Sequence, residues 1–173
     1  MLVVDVQKEY CDPEAWQRRG SKETEVVSER IQSLVPEFRK ASVPVYAVYF
    51  SLQGAKPASE VDFYKFMPDD KDTLIAKSTN SAFKSSNIKE ILEKEHKKLL
   101  LICGFNQAAC VRETVLDARK AGFEVCLLDD LAGNDRLTSY YRDKAAQEML
   151  RAGVVFASSE QVLKQLHAPQ PHP

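Results

Sequence analysis

The sequence predicts an α/β domain of three layers, in which a doubly wound, mostly parallel sheet of about six strands lies between two layers of helices. Short apolar runs rich in Leu or β-branched residues recur along the chain, and most are separated by segments of helical periodicity. Strands that are apolar throughout are typical of parallel sheets covered on both faces. Their alternation with helix-length segments indicates βαβ units, so we expect a Rossmann-like architecture.

The elements follow from these patterns in chain order. Six runs predict the strands: Leu2–Val6, Val43–Phe50, Thr73–Lys77, Leu99–Cys103, Glu124–Leu128 and Val154–Ala157. Four segments, residues 23–41, 86–96, about 109–121 and 138–152, predict helices, and in the first two the apolar residues recur on one helix face. The last two helices end before Gly122 and Gly153, which suit the left-handed position after a helix C-terminus.

Two long segments, residues 7–22 and 51–72, interrupt the alternation and lack clear periodicity. Loops of this length inside a compact domain are often functional. Residues 1–166 are predicted to form one domain, and the Pro-rich residues 167–173 are predicted to be a disordered tail.

Composition narrows the classes of function. The chain has 24 Lys and Arg against 25 Asp and Glu, a formal charge of −1. It therefore lacks a large basic field that would attract nucleic acid or anionic lipid, so we expect neither partner and predict a small-molecule substrate.

Cysteine usage and the N-terminal residues predict a cytoplasmic protein. The four cysteines, at positions 11, 103, 110 and 126, form no CxxC pair. The N-terminal run reaches Asp5 too early for a secretory signal, and no run of 18 apolar residues predicts a transmembrane helix.

Candidate reactive side chains follow the predicted strands, where ligands bind in open α/β sheets. They are Asp5, Lys77, Cys110 and the pair Asp129 and Asp130. Each has a structural alternative: Asp5 could cap a helix, Lys77 could extend into water, and Cys110 could be a small buried hydrophobe. For Asp129 and Asp130 we favour the start of a loop.

Taken together, Asp5, Lys77 and Cys110 can supply a base, a charge partner and a nucleophile without histidine. A helix N-terminus and a nearby ammonium are both expected to favour the thiolate of Cys110. The spacing of residues argues against other reactions. A CxxxxxR phosphatase loop would need Arg where the chain has Leu116. The phosphate-binding motif GxxxxGK and the motif GxGxxG do not occur. The three His, at positions 96, 167 and 172, predict neither a Cys–His protease nor a zinc cluster.

Four motifs in order resemble the isochorismatase-like cysteine hydrolases, a family that includes nicotinamidases and N-carbamoylsarcosine amidases. They are Leu2-Val-Val-Asp-Val-Gln7, Lys77-Ser-Thr-Asn-Ser-Ala-Phe83, the segment from Gly104 through Cys110-Val-Arg-x-Thr114 to Ala118, and Leu127-Leu-Asp-Asp130. The motifs cover almost the whole chain, so the resemblance extends to the fold.

The resemblance implies a role for each matching residue. Cys110 becomes the nucleophile, Asp5 the general base and later acid, and Lys77 the residue that stabilises the thiolate and orients the carboxylate. Family members have a non-proline cis peptide that corresponds here to Phe105–Asn106. The N–H groups of Asn106 and Cys110 then become the oxyanion hole.

The sequence departs from the metal-dependent members of the family. Nicotinamidase-like members carry an Asp-x-His and a further His after the second strand, whereas residues 49–56 here contain no His. We therefore predict no metal and no cofactor, and do not expect nicotinamide to be the substrate.

Our leading hypothesis is a metal-independent cysteine hydrolase that cleaves a C–N bond of a small amide, ureido or carbamoyl substrate through an acyl-thioester on Cys110. One alternative is a catalytically idle binding or scaffold module of the same fold. Another is an isochorismatase-type hydrolase of a vinyl ether, because isochorismatases proper act on that bond and often lack the Cys.

Substrate contacts are predicted from the two long loops. The first contributes Gln7, Tyr10 and Trp16, and the second contributes Phe63, Tyr64 and Phe66. Packing against the core or a neighbouring subunit is an equal alternative for the aromatic residues. The resemblance also implies a homo-oligomer, a dimer or larger.

Overall fold

Six parallel strands form one sheet in the computed structural model, which describes residues 1–15, 18–52 and 60–168. The strands are β1 Leu2–Val4, β2 Tyr46–Phe50, β3 Thr73–Lys77, β4 Leu99–Phe105, β5 Glu124–Gly133 and β6 Val155–Ala157. Their spatial order is β3-β2-β1-β4-β5-β6, and every pairing is parallel. The predicted doubly wound sheet is confirmed.

Seven α-helices connect and cover the strands within the described residues. They are α1 Lys8–Cys11, α2 Lys22–Lys40, α3 Ala82–Ser85, α4 Ile88–Lys94, α5 Arg112–Lys120, α6 Arg142–Arg151 and α7 Ser159–His167. A π-helical turn, Gln107–Val111, leads directly into α5, and a 3₁₀ turn, Ser139–Tyr141, leads into α6. No helix in these ranges is long and apolar enough to cross a membrane.

Helices cover both faces of the sheet, and side chains alternate between the two faces along each strand. In β1, Leu2 and Val4 face the apolar core under α4, α5 and α6, whereas Val3 faces the core under α2 and α7. The continuous apolar character of the strands therefore reflects burial on both faces.

Three of the helices were not predicted from the sequence. Helix α7 was not predicted, although Ser158 and Gln161 form a capping box that could have revealed it. The short helices α1 and α3 were also missed, because about one turn of helix gives no periodicity. The Pro-rich residues 169–173 lie outside the described residues, so the predicted tail stays a prediction.

Strand β5 is longer than predicted, which corrects the interpretation of Asp129 and Asp130. The pair lies inside the strand, which continues to Gly133 after a register shift against β4. Asp130 accepts hydrogen bonds from the N–H and hydroxyl of Ser159 at 2.7 Å and so stabilises the start of α7. Two adjacent carboxylates are typical of a loop, which is why we expected one here. The strand nevertheless continues past them, because it still pairs with the end of β4.

The sheet changes winding direction between β1 and β4, and such switch points are where α/β sheets bind ligands. The two strands approach closely at Gly104, whose φ is +113°. A Cβ on this residue would lie 2.0 Å from the carbonyl oxygen of Val4. Glycine at this position therefore lets β4 pack beside the end of β1, next to Asp5.

Candidate active site

Asp5 follows β1 directly and lies at the switch point. Its φ is +50°, a left-handed conformation that Asp tolerates better than most residues, and its N–H donates to the carbonyl of Val48 at 2.8 Å. The turn directs its carboxylate into the protein, where the residue is 1% exposed. Strand β1 therefore ends at Val4, earlier than predicted.

Lys77 reaches Asp5 from two strands away. It is the last residue of β3, in register with Phe50 at the end of β2. Its Nζ lies 4.9 Å from the centre of the Phe50 ring, donates to the carbonyl of Thr79 at 3.1 Å and lies 2.7 Å from Oδ2 of Asp5. The long side chain spans β2, and both charged groups are buried in an ion pair.

Cys110 completes a cluster of three at this edge of the sheet. It lies in the π-helical turn before α5, close enough to Asp5 and Lys77 for both groups to affect the pKa of its thiol. The side-chain oxygen of Asn80, in the loop after β3, lies 3.7 Å from Sγ. The structure thus brings together the three residues that the sequence predicts as catalytic.

The electrostatics of the cluster correct one expectation. Burial raises the pKa of Cys110 to about 12, with a further increase from the Asp5 carboxylate that outweighs the lowering by Lys77. Burial also raises the pKa of Asp5, although Lys77 opposes the increase. Cys110 is therefore a thiol at neutral pH, because desolvation disfavours a second anion beside Asp5. The helix N-terminus and Lys77, which we expected to favour the thiolate, do not outweigh this effect.

Apart from Lys77 and the Cys110 thiol, Asp5 has few partners in the described part of the chain. Both of its carboxylate oxygens are shielded from water, and no other described group satisfies them. Such a carboxylate has lone pairs available to accept a proton from the adjacent thiol.

We call residues 106–110 the nucleophile turn. The peptide bond between Phe105 and Asn106 is cis, as the resemblance implies. The carbonyl of Asn106 accepts hydrogen bonds from Ala109 at 2.9 Å and Val111 at 3.1 Å, which closes the turn tightly around Cys110. The N–H groups of Asn106 and Cys110 belong to this turn, and their role as an oxyanion hole stays a prediction.

A cavity of about 900 Å³ is lined by two of the predicted substrate-binding residues, Gln7 and Tyr10, and none of the three cluster residues is among its described lining residues. The side-chain amide of Gln7 is hydrogen-bonded to the backbone of Phe50. Its Oε1 accepts from the N–H of Phe50 at 2.7 Å, and its Nε2 donates to the carbonyl at 3.2 Å. Phe50 also lines the cavity and contacts Lys77, so it lies between the cavity and the buried cluster. Trp16 lies outside the described residues.

The three aromatic residues predicted from the second loop do not line the described part of this cavity. Phe66 is 2% exposed and belongs to the core, with its ring in edge contact with Phe63 at 6.0 Å. Phe63 and Tyr64 are partly buried and pack against the same core. Phe66 therefore has a packing role. Substrate contact by Phe63 and Tyr64 stays a prediction, because both keep part of their surface accessible.

Four residues near the cluster were not predicted from the sequence: Arg19, Asn80, Asn134 and Asp135. Asn134 and Asp135 follow β5 and hydrogen-bond the nucleophile turn, and Arg19 pairs with Asp135. Only the tertiary fold brings them together, because they are separated from Cys110 by 24 or more positions. The motif Lys77–Phe83 contains Asn80, but nothing in its pattern marked this residue.

The described residues offer no donor set of the kind that the resemblance implies for the metal-dependent members of the family. No three His, Cys, Asp or Glu side chains in the described ranges are arranged to hold a metal ion. Residues 53–59, which follow β2 and lie outside these ranges, contain none of the four residue types. His96 precedes β4 and so lies at the opposite edge of the sheet.

Comparison with known proteins agrees with the fold. A secreted isochorismatase effector of Verticillium dahliae is 25% identical over 142 residues, covering 78% of this chain and 72% of that protein. The pyrazinamidase of Pyrococcus horikoshii, solved in complex with zinc, has a TM-score of 0.78 at 22% identity, covering 91% of this chain and 97% of its own.

The fold also matches N-carbamoylsarcosine amidase from Thermoplasma acidophilum, with a TM-score of 0.73 at 18% identity, covering 92% of this chain and 95% of that one. The family model for the Isochorismatase domain matches residues 1–161, which include the six described strands and the three residues of the buried cluster. The chain therefore belongs to the isochorismatase family.

Proposed function

We propose that this protein is a metal-independent cysteine hydrolase that cleaves a C–N bond in a small amide, ureido or carbamoyl substrate. The observation that carries the proposal is the buried cluster in which the Cys110 thiol lies beside Asp5, and Asp5 pairs with Lys77 at 2.7 Å. Nucleophile, base and charge partner are thus adjacent, at the edge of the sheet where α/β enzymes bind ligands.

The first half-reaction begins with proton transfer from the Cys110 thiol to Asp5. The sulfur attacks the substrate carbonyl carbon, and the C=O electron pair moves to oxygen. The N–H groups of Asn106 and Cys110 would stabilise that oxyanion. When the tetrahedral intermediate collapses, the C–N bond breaks, Asp5 gives its proton to the leaving amine, and an acyl-thioester remains on Cys110.

The second half-reaction uses Asp5 again as a base. Asp5 takes a proton from water, the hydroxide adds to the thioester carbonyl, and the C–S bond breaks as Asp5 returns the proton to sulfur. The raised pKa of Asp5 suits both directions, because a base poised closer to neutrality than an ordinary carboxylate can also act as an acid. Lys77 opposes the effect of burial and so favours the ionised form of Asp5, which the first proton transfer requires.

The charges around the cavity favour a neutral or cationic substrate over an isochorismate-like acid. Four carboxylates line its described part, those of Glu9, Glu14, Glu60 and Asp62, against the cations of Lys8 and Arg19. Arg19 is already paired with Asp135 at 2.5 Å. An anionic substrate would meet net repulsion here, whereas an uncharged amide would not. The two amidases of similar fold support the same substrate class.

The proposal is tested by measuring ammonia or amine release from a panel of small primary amides, ureido acids and carbamoyl amino acids. The wild-type protein, freed of metals by a chelator, is expected to hydrolyse at least one class, and Cys110→Ala is expected to be inactive. Cys126→Ala removes a thiol from a core strand and is the matched control. Hydrolysis that survives Cys110→Ala, or that appears only after a metal is added, would overturn the proposal.

The same panel includes a vinyl ether that carries carboxylates. Turnover of this compound alone would favour an isochorismatase-type activity, and turnover of none would favour the binding module. The homo-oligomeric state stays a prediction that light scattering would test, and the cytoplasmic location is tested by cell fractionation.

A further inference from the structure

Four buried hydrogen bonds join the segment that follows β5 to the nucleophile turn. Asn134 and Asp135 are both 0% exposed. The backbone N–H of Asp135 donates to Oδ1 of Asn106 at 2.7 Å, and Nδ2 of Asn106 lies 3.4 Å from Oδ2 of Asp135. Asp135 therefore holds both ends of the Asn106 side-chain amide.

Asn134 extends the contact along the turn. Its Oδ1 accepts from the N–H of Ala108 at 2.9 Å, and its Nδ2 donates to Oε1 of Gln107 at 3.3 Å. Residues 134 and 135 thus contact three consecutive residues, 106–108, just before Cys110. These contacts restrain the orientation of the backbone that carries the predicted oxyanion donors.

Asp135 also reaches the wall of the cavity. Its Oδ2 accepts from Nε of Arg19 at 2.6 Å and lies 2.5 Å from Nη2 of the same residue. The Arg19 guanidinium lies 4.9 Å from the centre of the Tyr10 ring, and both residues line the cavity. Oδ1 of Asp135 accepts hydrogen bonds from the N–H groups of Leu137 and Thr138. Both oxygens of its carboxylate are therefore hydrogen-bonded.

We infer that Asp135 is a positioning residue, which acts with Arg19 to hold the nucleophile turn in the geometry that stabilises an oxyanion. The inference rests on the proposed function, because it assigns Asp135 a task at the Cys110 thiol. Asp135 does not touch the thiol and exchanges no proton with it. Its effect passes through Asn106, so it should alter stabilisation of the oxyanion and leave the reactivity of the sulfur unchanged.

Two reagents separate these effects. Iodoacetamide alkylates the thiol by displacement of iodide, and no oxyanion forms. Benzaldehyde instead forms a hemithioacetal: the sulfur bonds to the carbonyl carbon, the C=O electron pair moves to oxygen, and the thiol proton passes to Asp5, so that the oxygen keeps its negative charge. Only the second reaction places developing negative charge on an oxygen near the turn.

Asp135→Asn is expected to weaken benzaldehyde binding about 10-fold to 100-fold, because a small displacement of the donors is enough to lose their stabilisation. The alkylation rate of Cys110, followed by mass spectrometry, should change by less than about twofold. Asp130→Asn is the matched control: it changes another carboxylate of the same region, which contacts Ser159 at the far side of β5, and should alter neither measurement.

Arg19 provides a second test, because it is partly exposed and its replacement should not prevent folding. Arg19→Gln is expected to weaken benzaldehyde binding with unchanged alkylation, and Arg19→Lys, which keeps a cation opposite Asp135, should restore part of the affinity. Equal benzaldehyde affinity in wild type, Asp135→Asn and Arg19→Gln would overturn the inference, as would an equal loss in Asp130→Asn. If benzaldehyde binds equally well to Cys110→Ala, the proposed function itself fails.

Discussion

Asp5 and Asp135 are two buried carboxylates at the same edge of the sheet, yet their surroundings differ. Asp135 accepts hydrogen bonds from Arg19, Leu137 and Thr138, and its own N–H binds Asn106. Asp5 is paired with Lys77 and the thiol, and no other described group satisfies its oxygens. A carboxylate whose lone pairs are all occupied fixes structure, whereas one beside a thiol with spare lone pairs can move a proton.

The largest effect should come from removing the proton acceptor. Asp5→Asn keeps the size of the side chain and tolerates the left-handed backbone, but it cannot take the Cys110 proton. We expect hydrolysis to fall about 10²- to 10⁴-fold in steady-state assays, the range that general acid–base groups contribute. Asp130→Asn should retain wild-type turnover. An Asp5→Asn variant with more than a tenth of wild-type activity would show that Asp5 is not the base.

The buried ion pair should dominate the stability of this region. Lys77→Met leaves the Asp5 carboxylate buried without its counter-charge and is expected to lower the free energy of unfolding by about 3–5 kcal/mol in chemical denaturation. The double variant Asp5→Asn with Lys77→Met removes both charges and should recover most of that loss. If the double variant is as unstable as Lys77→Met alone, packing of the Lys77 stem, and not charge, is responsible.

The pKa of the Cys110 thiol provides a further test of the role of Asp5. The Asp5 carboxylate raises the pKa of Cys110 and Lys77 lowers it. Removing the negative charge should therefore lower the thiol pKa, and removing the positive charge should raise it. Ultraviolet absorbance of the thiolate during a pH titration measures both changes. We expect the thiol pKa to be lower in Asp5→Asn than in the wild-type protein, and higher in Lys77→Met. A thiol pKa that rises in Asp5→Asn would contradict the assigned electrostatics.

The smallest effect concerns a carboxylate with a purely structural role. Asp130→Ala removes two hydrogen bonds at the start of α7 and is expected to lower the free energy of unfolding by about 1–2 kcal/mol. Activity should be unchanged, because Asp130 has no contact with the nucleophile turn. Thermal denaturation together with a turnover assay checks both statements, and a large loss of activity would mean that α7 supports the site.

The sequence predicted the sheet and the three residues of the cluster because both leave local signals. Apolar strands and their spacing define the parallel sheet, and Asp5, Lys77 and Cys110 each follow or end a strand. Chemistry-bearing residues at strand ends converge in any sheet of this type. Fold and cluster could therefore be predicted without knowledge of the tertiary contacts.

The protonation state of the thiol and the supporting residues could not be predicted in this way. Helix position and a nearby ammonium suggest a thiolate, but the degree of burial and the closeness of Asp5 reverse that expectation. Asn134 and Asp135 contact Asn106 only because β5 continues beyond Asp130 and places them beside the nucleophile turn. Both outcomes depend on distances between remote segments, which residue order does not reveal.

The central claim is that Cys110 carries the acyl group during hydrolysis. The most direct test is acid quenching during turnover of the best amide from the panel, followed by mass spectrometry of the intact protein and its peptides. We predict an added mass equal to the acyl group on the peptide that contains Cys110, absent in Cys110→Ala. Amine release with no adduct at any point of the time course, and full turnover by Cys110→Ala, would contradict the account.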